Sequence, residues 1–376
     1  MPDTRTPEPP IPYVNIGAQF AEERDELMPI IEEILMSGMY VGGPWNEKLE
    51  TALAELCGTK HAVALNSGTD ALILALAALG IGHGDEVITP PNSFVASTAV
   101  IAHVGATPVF ADVLADQNID PAEIERKITA KTKAIMPVHL TGRIADMKPI
   151  REIAARHGLA IIEDAAQSIG SRYDGVMSGA LGDVGCFSAH PLKNLNACGD
   201  AGFLTTDRDD VANYARLYRN HGLVDRNTVA RFGSVSRMDQ IQAAILCYRL
   251  GKMDALIEKR RRNVALYRTL LDPDLVFAPP CREIEFNTFH TFVIQVDRRD
   301  ELQAHLGAHG IGTAIHYPVP IHLQPAAAYL GHKVGDFPVT EEQSRRILTL
   351  PANQNLTEAD ITRVAETVNR FLSKAN

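Results

Sequence analysis

Apolar residues recur along this chain in two rhythms, and the rhythm changes about two-thirds of the way through. Helical spacing runs from about Ala18 to Met36, followed by the glycine turn Tyr40-Val-Gly-Gly-Pro44 and a second helix from Trp45 to Cys57. From His61 onward, short apolar runs alternate with helical stretches. Strands are predicted at 61–65, 87–89, 108–113, 134–138 and 160–163, with helices at 69–79, 94–102 and 147–157. Runs that are apolar on both faces belong in the middle of a sheet, and their alternation with helices predicts an α/β fold. The expected architecture is a mostly parallel sheet flanked by helices.

After Asp239 the pattern shifts. Residues 241–271 read as one long helical stretch, and its basic run Lys259-Arg-Arg-Arg262 reads as a solvated helix face. A strand is predicted at 290–296, a helix at 300–309, a strand-like segment at 312–317, and helices near 340–348 and 357–374. These elements predict a large domain over residues 1–250 and a smaller C-terminal α+β domain over 251–376. The first dozen residues, rich in proline and charge, are expected to be loose or to lie on a partner's surface.

Composition narrows the function classes. At 376 residues the chain suits one large and one small domain. A net charge of -10 excludes general nucleic-acid binding, which needs a basic face. The longest apolar stretch, Ala71 to Ile81, is too short to span a bilayer, and the N-terminus carries no apolar export signal. The five cysteines lack CxxC spacing, so reduced thiols in the cytoplasm are expected. Cys186 and Cys198 flank an interesting segment but read as small buried residues.

That segment holds Lys193, in the run Cys186-Phe-Ser-Ala-His-Pro-Leu-Lys193-Asn194, downstream of Glu163-Asp164-Ala-Ala-Gln167. A lysine set by a turn and an acid ending an apolar strand are what pyridoxal phosphate (PLP) chemistry requires. The amine forms a Schiff base with the cofactor aldehyde, and the carboxylate keeps the pyridine nitrogen protonated. Taken singly, Lys193 is a surface charge and Asp164 a helix cap. Together, amid Gly185, Pro191, Gly199 and Gly202, they suggest a lysine pushed into a cavity. Asn66-Ser67-Gly68-Thr69-Asp70 sits between a strand and a helix, where free N–H groups suit a phosphate, although Ser67 or Thr69 could serve only as a cap. Ser188 could reach the same phosphate, Gln167 the cofactor's phenolic oxygen, and Phe94 the ring face. Gly80-Ile-Gly82-His-Gly84 follows a helix and precedes a strand, the reverse of a dinucleotide fingerprint, and reads as a turn. No metal-ligand spacing connects the histidines, so no metal is expected.

Several further motifs carry a resemblance: Ser67-Gly-Thr-Asp-Ala-Leu72, Gly84-Asp-Glu-Val-Ile88, Gly105-Ala-Thr-Pro-Val-Phe110, Gly199-Asp200, Arg219-Asn-His-Gly222 and Arg237-Met-Asp-Gln-Ile-Gln-Ala-Ala244. With Glu163–Gln167 and Phe187–Asn194, they make the chain similar to the DegT/DnrJ/EryC1/StrS family of fold-type I PLP aminotransferases, from about Tyr13 to Arg370. The resemblance implies that Lys193 is the Schiff-base lysine, Asp164 the pyridinium partner and Gln167 the neighbour of the cofactor hydroxyl. It implies that Phe94 stacks on the ring and that Gly68, Thr69 and Ser188 bind phosphate, to which the Ser67 hydroxyl can add, with Arg237 reaching the phosphate of a neighbouring subunit. Tyr40, Arg219, His221 and His322 become candidates on the substrate side. Two departures stand out. Val235 replaces an asparagine that often donates to the phosphate, and Ala352-Asn353-Gln354 replaces a histidine-proline pair.

The resemblance implies a homodimer with shared active sites that moves an amino group from L-glutamate to a keto-sugar linked to a nucleotide diphosphate. Two rivals remain open at this point: an aminotransferase for a keto-cyclitol such as an inosose, and a sensor that binds PLP without turnover. A dehydratase branch with histidine at the lysine position is disfavoured by Lys193.

Overall fold

The computed structural model describes residues 9–374. Its strands are β1 (His61–Leu65), β2 (Glu86–Thr89), β3 (Thr107–Phe110), β4 (Thr132–Ile135), β5 (Ala160–Asp164), β6 (Arg172–Tyr173), β7 (Val176–Met177), β8 (Val184–Ser188), β9 (Gly202–Thr206), β10 (Glu285–Phe286), β11 (Phe292–Gln295) and β12 (Ile347–Leu350). Seven of them form the main sheet, in the order β1-β9-β8-β5-β4-β2-β3. The pairs β3/β2, β2/β4, β4/β5 and β5/β8 are parallel, as the sequence pattern predicts. β9 runs antiparallel to both of its neighbours, β8 and β1. Since β9 reverses twice, β1 runs in the same direction as β8 and β5. Their carboxyl ends therefore open on one edge of the sheet, where ligands collect in folds of this kind.

The sheet strands are apolar because both faces are covered. Leu65, Ile162, Val184 and Leu204 join the helix Gly68–Ala78 and the helix Asp209–Tyr218 in one core. Ala62, Ala64, Phe187 and Phe203 pack the other way, against the helices Pro44–Cys57 and Gln240–Leu250. Phe187 and Phe203 stack at 4.5 Å between centroids, tying β8 to β9. The segment 80–84 is a turn before β2, where Gly82 N–H donates to Asp85 Oδ2 (3.0 Å).

The chain departs from the sequence pattern in several places. The predicted helix 241–271 is two helices, Gln240–Leu250 and Met253–Leu270, separated at Gly251-Lys252. The segment 312–317 is not a strand. Only Ala314 bridges there, to Thr349 in β12, a strand that follows the helix Pro338–Arg346 directly. The expected loose N-terminus lies outside the described residues only up to residue 8. Ile11 is buried beside Ile294, Leu302 and Val364, and it bridges Ile311, because an apolar side chain next to that core gains more from burial than the chain loses in freedom. Arg260, in the run read as solvated, is buried as well. Among the described residues, no helix is long and apolar enough to cross a membrane.

Candidate active site

The carboxyl edge of the sheet walls a cavity of about 430 Å³. β1 delivers Ser67, Gly68 and Thr69 to it, β5 delivers Asp164, and β8 delivers Ser188, with Lys193 on the loop that follows. Phe94, Gln167 and Ser97 complete this side. Eight expected residues, together with Asp164's partner Ser97, thus share one space.

At one end the helix Gly68–Ala78 points its N-terminus into the cavity. Ser67 caps it, accepting a hydrogen bond from Asp70 N–H at 3.1 Å. That acceptor role leaves the hydroxyl proton free to donate, so capping and phosphate binding are compatible rather than alternative. Gly68 must be glycine, because a Cβ there would lie 2.8 Å from the Ser188 Cβ. Gly202 is constrained likewise, since its Cβ would lie 2.3 Å from the Ser67 carbonyl carbon. Both contacts let the turn sit against β8 and β9 with its N–H groups turned outward. A phosphate dianion fits this end.

At the other end Asp164 is 5 % exposed. Ser97 donates to its Oδ2 at 2.6 Å and Ala166 N–H to its Oδ1 at 3.2 Å. The neighbouring Glu163 points behind the sheet, where Gly179, Leu181 and Gly182 N–H groups and His139 Nε2 donate to it. His139 Nδ1 accepts from Ala145 N–H, which places the ring proton on Nε2. Glu163 therefore anchors the loop before β8, while Asp164 alone faces the cavity.

Lys193 is half-buried by exposure because it faces the cavity, yet protein surrounds it. Burial lowers its pKa from 10.5 to about 8, and the Asp164 carboxylate pulls in the opposite direction. A lysine amine that is partly neutral near pH 7, close to a buried carboxylate, is a nucleophile and proton carrier. Phe94, 54 % exposed, presents its ring to the same space and lies 5.9 Å from Tyr317, centroid to centroid. Gln167 Oε1 accepts from Thr141 N–H at 2.8 Å, which fixes the amide, and its side chain also contacts Tyr317.

Other residues line the cavity that sequence reasoning did not assign to it: Ser97, Tyr13, Arg260, His290, His316, Tyr317 and Asn353. His316 Nδ1 meets Thr349 Oγ1 at 2.9 Å, and burial, then Lys193, lowers its pKa to about 4. Asn353, which stands in the departing segment, donates to the carbonyls of Pro12 and Tyr13 and so ties the N-terminal segment to the cavity. A helical stripe did mark Arg260, since Ile257, Val264 and Tyr267 share its face.

Five expected residues do not line this chain's cavity. Arg219 pairs with Glu50 and donates to Ala64 O at 2.7 Å. His322 is buried, with Nε2 3.1 Å from Glu341 Oε1 and its ring against Phe337. Tyr40, His221 and Arg237 lie on one stretch of surface, where Val41 bridges Asp239 and Asn220 bridges Val235. Arg237 donates to Asn220 Oδ1 at 2.9 Å, and its Nε has no partner among the described residues.

The sequence model of the DegT/DnrJ/EryC1/StrS aminotransferase family matches residues 21–369. The chain belongs to that family. It is 42% identical, over 96% of its length and 98% of the relative's, to a UDP-N-acetyl-3-dehydro-alpha-D-glucosamine 3-aminotransferase of Acidithiobacillus ferrooxidans. It is 40% identical, over 99% of both chains, to a dTDP-3-amino-3,4,6-trideoxy-alpha-D-glucose transaminase of Streptomyces venezuelae. The crystal structure of S. venezuelae DesV in complex with a ketimine intermediate superposes with a TM-score of 0.95 at 40% identity, covering 97% of this chain and 99% of that one. Membership makes the chain an aminotransferase with PLP as cofactor. The phosphate cradle at Gly68, the buried Asp164 and the depressed Lys193 fit that cofactor at its two ends and its aldehyde.

Proposed function

We propose that this aminotransferase moves an amino group from L-glutamate to the keto carbon of a sugar linked to a nucleoside diphosphate, working as a cytoplasmic homodimer with composite sites. The observation that carries the reading is the convergence of Lys193, Asp164 and the helix N-terminus at Gly68 on one cavity. PLP, when bound, supplies the electron sink that makes the donor's α-hydrogen acidic. The chain's own residues do the rest. Gly68, Thr69 and Ser67 hold the phosphate with backbone N–H and hydroxyl donors. Asp164, kept in place by Ser97 and Ala166 N–H, favours the protonated ring nitrogen. Phe94 covers one ring face. Lys193 Nζ would take the donor's α-proton and return it to the cofactor's aldehyde-derived carbon on the far side of the transferred nitrogen, which a pKa near neutrality allows in both directions.

The nucleotide-sugar assignment draws on the relatives, whose names specify UDP- and dTDP-linked sugars. Support for the dimer comes from the surface that carries Tyr40, His221 and Arg237. Met36, Met39, Val41, Phe232 and Val235 are exposed, and Phe232 is 97 % so. Apolar side chains beside an incompletely bonded arginine suit a protein interface. Across a two-fold axis these residues would complete the partner's cavity, and Val235 would contribute packing where a donor is usual. A cytoplasmic setting agrees with five unpaired cysteines, two of them buried.

The test is a glutamate-driven assay over a panel of UDP- and dTDP-linked 3- and 4-ketosugars, with the amine position read by NMR. Turnover of at least one sugar is expected. Turnover of an inosose with none of the sugars contradicts the assignment, and a cofactor spectrum that glutamate leaves unchanged contradicts catalysis altogether.

A further inference from the structure

Beside Lys193, one wall of the cavity carries polar atoms that the chain itself does not satisfy. Arg260 projects from the helix Met253–Leu270 and is only 8 % exposed. Its Nη1 donates to the carbonyls of Phe289 (3.3 Å) and His290 (3.0 Å), while its Nε is enclosed with no hydrogen-bond partner among the described residues. Among the described residues no carboxylate pairs with it, and Tyr13 is the ionisable group that supports its charge. On the adjoining segment, His290 Nδ1 and Thr291 Oγ1 are also buried without partners. All three residues line the cavity.

A buried guanidinium with no counter-ion is costly, and proteins tolerate one where a ligand brings the negative charge. The electrostatics agree with such a site. Burial lowers the Arg260 pKa to about 10, and burial, then Lys193, Arg260 and His316, hold His290 well below its usual range. His290 therefore stays neutral near pH 7 and adds a hydrogen-bonding atom without a second charge. Two carbonyls occupy Nη1, so the Nε edge of the Arg260 fork, the side that matches two coplanar oxygens, keeps an unmet donor for a planar anion.

We propose that Arg260, with His290 and Thr291 beside it, binds the α-carboxylate of the amino donor. The proposal rests on the aminotransferase reading and deepens it. Position favours the donor over a sugar acid. Lys193 must reach the donor's α-carbon, and the α-carboxylate is one bond from that carbon, so its site has to adjoin the lysine. Lys193, Arg260, His290, Thr291 and His316 line the same cavity, which puts this wall beside the reacting centre. A carboxylate at the far carbon of a hexose would sit several bonds away.

The test uses holoenzyme of the wild type, R260K and R260L, with melting curves to confirm folding; R260K keeps the charge and loses only the fork. Calorimetric titration with 2-oxoglutarate and with UDP-glucuronate is run beside the spectral change produced by L-glutamate. In R260K, 2-oxoglutarate binding should weaken by about tenfold or more, and the half-saturating glutamate concentration should rise to match, while UDP-glucuronate affinity holds. Unchanged 2-oxoglutarate binding in R260K overturns the proposal. A loss confined to UDP-glucuronate overturns it too, in favour of a sugar carboxylate. If glutamate leaves the wild-type spectrum unaltered, the aminotransferase reading fails, and the 2-oxoglutarate titration still judges Arg260 on its own.

Discussion

Lys193 should capture the cofactor aldehyde with a pH dependence that belongs to its cavity and not to an ordinary lysine. Only the neutral amine attacks a carbonyl. With a pKa of about 8, roughly one molecule in ten carries a neutral Lys193 at pH 7, against roughly one in 3,000 at the ordinary value of 10.5. Capture at pH 7 should therefore be about 300-fold faster than for a solvated lysine of equal reactivity. Four neighbours stay outside this window. His316 titrates near 4, His290 lies well below its usual value, and burial drives Tyr13 and Tyr317 upward. Stopped-flow absorbance of PLP mixed with apoprotein between pH 6 and 10 should rise through a single midpoint near 8. Replacing Asp164 by Asn removes the charge that holds the lysine pKa up, so the midpoint should move lower. A wild-type midpoint near 10.5, or an upward move in D164N, would refute the reasoning.

The same drop from 10.5 to about 8 corresponds to ~3 kcal/mol of charge burial in the apoprotein. Between those pH values the unfolded chain holds more protons, so this cost is complete below pH 8 and fades as pH approaches 10.5. K193M should therefore melt above wild-type apoprotein at pH 7 and lose that advantage by pH 10.5, as calorimetry would record. Removing Ser97 Oγ deletes a 2.6 Å hydrogen bond to Asp164, and S97A should slow the glutamate half-reaction by about tenfold while leaving the fold intact. Arg249 donates twice to Glu23 and once to Asn196 O, pinning the loop after Lys193. R249L, which strands the buried Glu23 carboxylate, should cost about 3–5 kcal/mol in chemical denaturation. G68A should weaken PLP affinity, measured by fluorescence titration, because its Cβ would push Ser188 off the phosphate turn.

Much of the site was legible because its residues stand at strand ends. Asp164 closes an apolar run, Ser67 to Thr69 join strand to helix, and Lys193 sits between glycines, all local signals. What was not legible depends on direction. Four consecutive charges at 259–262 cannot say which one faces inward, and only the stripe Ile257–Val264–Tyr267 picks out Arg260. β8 and β9 were both missed, and the pairing of β9 with β1 joins segments far apart in sequence. Gly251 splits a helix that periodicity runs straight through. His322 reads like a loop ligand in sequence, whereas its ring meets Phe337 and Glu341 across the fold.

Borohydride reduction of the PLP-loaded protein, followed by peptide mass mapping, tests the central claim most directly. The cofactor's mass should appear on the peptide containing Lys193 and on no other lysine peptide. An adduct on a different lysine, or none on this one, would contradict the account.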